Sequence, residues 1–130
     1  MHSMENEFIF KYKSDIYEFI RISEVFFDKY QEQISFMNPS YPTPTVLFGE
    51  FANTIKENYK NFDNYTIKNF FCTIEYMLNK NDEFLKTIVI TGLLEALTSN
   101  INMEFKKFLE KYALEKTKYY INSICEELGC

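Results

Sequence analysis

Glycine and proline are scarce in this chain, with three of each in 130 residues. A β-sandwich or barrel needs many turn residues, so this scarcity argues for long helices. Histidine is scarcer still: His2 stands alone in an N-terminal end expected to fray, so a Ser-His-Asp or Cys-His arrangement has little to build on. The three cysteines, Cys72, Cys125 and Cys130, include no CxxC pair, and HExxH and zinc-ligand spacings are absent. The glycines Gly49, Gly92 and Gly129 are isolated, so there is no Gly-rich phosphate loop. No apolar run approaches the ~18–20 residues that span a bilayer. The start, MHSMENEF, lacks the basic-then-apolar order of a secretory signal, which predicts a cytosolic protein with reduced thiols. Basic residues are outnumbered, 14 against 19 acids, for a net charge of −5. That balance disfavours direct, sequence-blind binding of nucleic acid, which needs clustered cations.

What is present suits one packed domain over residues 1–130. Apolar residues make up 46% and aromatic residues 18%, enough for a core in a chain too short for two ordinary domains. From Ser14 to about Ile34 the residues Ile16, Phe19, Ile20, Phe26, Phe27, Tyr30 and Ile34 share one arc at ~100° steps, which predicts one long helix. Ser14 is its expected N-cap and Asp15 its first-turn acid. Residues 1–13 form an arm ahead of it, either a helical turn or extended. Residues 37–45, with all three prolines, read as a stiff connection, after which Thr45 is the expected cap of the next helix. There Leu47, Phe48, Phe51, Ala52, Ile55, Tyr59 and Phe62 occupy one face.

Asp63-Asn64 signals a turn and cap before Ile67, Phe70, Phe71, Ile74, Met77 and Leu78, the clearest amphipathic pattern in the chain. Cys72 lies inside that pattern and is expected to be a buried small hydrophobe. After Asn81-Asp82, nearly every position from Phe84 to Leu97 is apolar. The run Ile88-Val89-Ile90 resembles a strand, but the pattern continues through Leu97 without a turn, so it reads as a central helix surrounded by others. Gly92 within it points to a close helix crossing. Two shorter helices follow at about 102–112, served by Met103, Phe108, Leu109 and Tyr112, and at about 114–128, served by Thr117, Tyr120, Ile121, Ile124 and Leu128, with Gly129 as the stop. The expected fold is all-α: a single domain of five to seven helices packed as antiparallel hairpins, a helical bundle or a short α-α superhelix.

Catalytic candidates are few. Glu75 and Glu95 each interrupt an apolar stretch, and an acid/base pair in an internal pocket would need both; a polar stripe or a lysine partner explains them as well. No metal, cofactor or catalytic residue is expected. The first long helix is more informative, because Glu18, Glu24, Asp28 and Glu32 fall opposite its apolar face and the last three stack at i, i+4, i+8. Such like-charged neighbours destabilise a helix by about 0.2–0.5 kcal/mol each; the row reads either as the solvated face of an acidic protein or as an acidic surface that meets a basic partner. Tyr17 and Val25 project into the same arc. The asymmetry is wider than one helix: residues 1–65 carry ten acids and six bases, net −4, and residues 66–130 nine and eight, net −1. Tyr12, Tyr17, Tyr41, Tyr119 and Tyr120 are too many to bury together, and exposed tyrosines suit interfaces.

The stretches PTVLFGEF (44–51), FFCTIEYMLNKNDEFLKTIVITGLLEAL (70–97) and KYALEKTKYYI (111–121) resemble small all-helical immunity proteins of bacterial toxin–immunity loci, contact-dependent inhibition systems among them. The likeness rests on hydrophobic pattern and on Phe48-Gly49, Ile74-Glu75, Leu94-Glu95 and Thr117, and covers about two-thirds of the chain; residues 1–40 lie outside it. It implies a cytosolic protein that binds the toxic C-terminal domain of a delivered effector and blocks it. For a basic nuclease toxin, the steering acids would be Glu18, Glu24, Asp28 and Glu32, with Tyr17 and Tyr41 as contacts. The partner is then a protein, with no direct role for nucleic acid or membrane, and the oligomeric state stays open. The alternative is a non-catalytic helical adaptor that takes a peptide or helix into an apolar groove.

Overall fold

The computed structural model describes residues 11–36 and 43–129, with the side chains of 35 and 36 excepted. The described residues form seven helices and no strand: α1 (Lys13–Ile20), α2 (Glu24–Phe36), α3 (Pro44–Asn58), α4 (Asn64–Asn79), α5 (83–98), α6 (Met103–Tyr112) and α7 (Glu115–Leu128). The central helix α5 runs from Glu83–Ile88 through a π-helical stretch, Val89–Leu94, into Glu95–Thr98. Its middle lies against α3, with α4 and α7 also in contact, and Leu85, Ile88, Val89, Leu93, Leu94 and Leu97 are buried. Phe84, Thr87, Thr91 and Glu95 leave one stripe exposed, so the helix expected to be surrounded by others is open along one side. Not every close pair is consecutive in the chain, since α3 packs most closely on α5 and α4 packs on α7 as well as on α5.

Two glycines set the α3–α5 distance. A Cβ on Gly92 would sit 2.6 Å from the Thr45 carbonyl oxygen, and one on Gly49 would sit 3.2 Å from the carbonyl oxygen of Gly92. The backbones therefore touch where side chains would hold them apart.

Phenylalanines tie the other helices together. Phe19 of α1 lies 5.5, 5.2 and 5.6 Å from the rings of Phe48, Phe51 and Phe70. Phe26 of α2 lies 5.9 Å from Phe51 and 5.7 Å from Phe70. Phe70 meets Phe71 at 5.2 Å, and Phe71 leads to Phe108 of α6 at 5.8 Å. Each such pair contributes about 0.5–1.5 kcal/mol beyond the area it buries. All six apolar residues read on α4 are buried, as are Leu47, Phe48, Phe51, Ala52 and Ile55 of α3.

Several local expectations are corrected. The helix read over 14–34 is two, because Ser23 restarts the chain: its carbonyl accepts from the Phe26 amide at 3.1 Å and its hydroxyl from Val25 at 3.3 Å. The apolar period runs unbroken across this cap, which concealed it. Ser14 lies within α1, where Tyr12 holds the N-cap position without a side-chain cap bond. Thr43, not Thr45, caps α3 by accepting from Val46, because Pro44 occupies the first helical position, where its missing N–H costs nothing. Cys72 is exposed on the polar side of α4, and Tyr12 is buried. Met103 and Leu128 face solvent, while Phe105, absent from the expected core, is buried. Cys125 is disulfide-bonded, against the expectation of reduced thiols. Asp63 and Gly129 cap helices as expected, and Asp82 and Asn102 cap α5 and α6.

Candidate protein-binding face

Glu24, Asp28 and Glu32 line the outer side of α2, all exposed, one helical turn apart. The helix is anchored from behind by Phe26, which is fully buried. Glu32 receives Lys29 at 3.7 Å, and Lys29 also reaches Glu50 of α3 at 4.0 Å. Glu24 and Asp28 have no ion-pair partner among the described residues. Two apolar side chains flank the acids: Val25 on one side and Phe27, 39% exposed, on the other.

The break at Ser23 redistributes the expected residues. Glu18 and Tyr17 lie on α1, a different helix from the other three acids. Glu18 is paired with Arg21 at 3.3 Å, so its charge is locally answered. Tyr17 is 44% exposed, with the Lys13 ammonium 5.5 Å above its ring. Tyr41 lies outside the described residues. Phe27 is the residue that the sequence reading misplaced. At ~100° per residue it is one step round from Phe26 and about 60° from Glu24, at the rim of the apolar arc and beside the acids.

Glu75 and Glu95 do not share a cavity. Glu75 is a cap for α7: its Oε2 accepts from the Lys116 amide at 2.9 Å, and its Oε1 from the Thr117 amide at 3.0 Å and the Thr117 hydroxyl at 2.9 Å. Leu114 precedes α7 and offers no side-chain cap, so a carboxylate from α4 satisfies amides that would otherwise be orphans. Glu95 is exposed and lines a cleft of about 580 Å³ with Thr98, Ser99, Asn100, Ile101 and Leu128. The end of α5 beside this cleft is held by Lys56, whose Nζ donates to the carbonyls of Ala96 at 3.0 Å and Ser99 at 2.7 Å. Burial pushes the Lys56 ammonium below its ordinary pKa.

A second, more apolar cleft of about 340 Å³ opens between α6 and α7, with Leu109, Ala113 and Ile121 in its floor and Lys106, Glu110 and Lys118 in its lining. Among the described residues no group of three or more His, Cys, Asp or Glu could hold a metal ion, and no helix is long and apolar enough to cross a membrane.

The molecule is thus an all-helical domain with an acidic, aromatic-flanked face on α2. It belongs to the family of the domain of unknown function DUF7674, whose model matches residues 19–126 and so includes Glu24, Asp28 and Glu32. No curated protein and no solved structure matches the chain.

Proposed function

We propose that this chain is an immunity protein: a non-catalytic, cytosolic inhibitor that binds the C-terminal domain of a cognate bacterial toxin, a basic nuclease, and blocks its active site or substrate groove through the outer face of α2. The observation that carries the reading is the exposed row Glu24, Asp28 and Glu32, the first two without an ion-pair partner among the described residues, with Phe27 and Val25 on either side. A nuclease groove must be basic to hold phosphates, and a row of carboxylates offers it a substitute for the nucleic-acid backbone. Complementary fields speed association, and apolar anchors such as Phe27 slow release. The resemblance to small helical immunity proteins bears on the immunity reading alone and not on the choice of α2, since residues 1–40 lie outside it.

The test is co-expression with the C-terminal domain encoded by the neighbouring reading frame, scored by rescue of growth and by co-purification. In the purified pair, the triple reversal Glu24→Lys, Asp28→Lys, Glu32→Lys is expected to slow association at least about tenfold at low salt, and less at high salt. Unchanged kinetics would remove α2 as the contact, and a neighbouring frame without toxicity would remove the immunity reading.

The alternative, an adaptor that seats a peptide or helix, is favoured by the α6–α7 cleft with its apolar floor. Binding through that cleft would be lost on Lys106→Glu with Lys118→Glu and would survive the α2 reversal.

A further inference from the structure

We draw no further inference here: the strongest candidate, the cleft between α6 and α7, already carries the alternative reading, its lining sets Lys106 and Lys118 against Glu110, charges of both signs that select no partner, and nothing in the structure shows what covers it.

Discussion

The carboxylate of Glu75 on α4 caps α7 through Thr117, taking both the amide and the hydroxyl of that residue, while its second oxygen takes the Lys116 amide. Thr117 is fully buried, so water cannot replace the bonds without opening the α4–α7 contact. Hydrogen bonds to a charged group contribute about 1.5–3 kcal/mol. Glu75→Ala is therefore expected to destabilise the protein by about 2–3 kcal/mol in urea titration, and Thr117→Val, which keeps shape and loses one bond, by about 1 kcal/mol. If Glu75 served chemistry instead, its removal would leave stability near the wild-type value.

Gly92→Ala separates two opposing effects. Alanine favours a helix interior by about 1 kcal/mol over glycine. Here its Cβ would meet the Thr45 carbonyl oxygen at 2.6 Å, and that atom is backbone. Overpacking of this kind costs about 1–3 kcal/mol, occasionally more. A net loss of stability is expected for Gly92→Ala, whereas Gly49→Ala, at 3.2 Å from its nearest atom, should stay within about 1 kcal/mol of the wild type. Equal gains in both variants would show that the helices do not cross so closely.

Phe27→Ser should cost about 1–2 kcal/mol, since the ring is 39% exposed and the rest of it is covered, while Phe26→Ala should cost about 3–5 kcal/mol. Parallel chemical denaturation of the two variants reads this directly. A large loss from Phe27→Ser would return that residue to the core.

Stability should fall at both ends of the pH scale. The Thr66 side chain, and after it the Thr66 amide, hold the Asp63 carboxyl below its ordinary value of 3.8, and Lys60 and Tyr59 hold that of Glu104 below 4.5. A depressed folded value means stability that is present above 3.8 and 4.5 and is lost as pH drops through the lower folded values. At the alkaline end, the bond to Asp15 raises Lys80 above 10.5, so its contribution is complete below 10.5 and is lost as pH climbs through the raised value. Thermal melts across pH should show Glu104→Gln flattening the acid limb and Lys80→Met the alkaline limb.

Alkylation without reductant should label Cys72, the exposed free thiol, and should label Cys125 only after reduction. Mass spectrometry of peptides from protein quenched in iodoacetamide checks both. Ready labelling of Cys125 in unreduced native protein would restore the reduced-thiol expectation.

The helices were legible wherever period and caps coincided. On α4, Asp63 opens the helix, six apolar positions recur at intervals of three and four, and all six are buried. The cap at Ser23 was obscured because Phe19 and Phe26, seven residues apart, fall on one arc whether or not the helix is continuous. A period measured within one helix also says nothing about partners distant in sequence. Glu75 was recognisable as an interrupting acid, but its ligands lie 41 and 42 positions away. The acids of α2 were readable as an exposed row because they fall opposite the apolar arc; the neighbouring Phe27 was not, since one step at the rim of an arc decides between core and solvent.

Phe26 turns α2 into a mount with separate inner and outer sides. Its inward ring is gripped by Phe51, Phe62 and Phe70, while positions 24, 25, 27, 28 and 32 are exposed on the other side. Substitutions at positions 24, 25, 28 and 32 can therefore change the charge and character of that outer surface while the inner packing around Phe26 keeps its form.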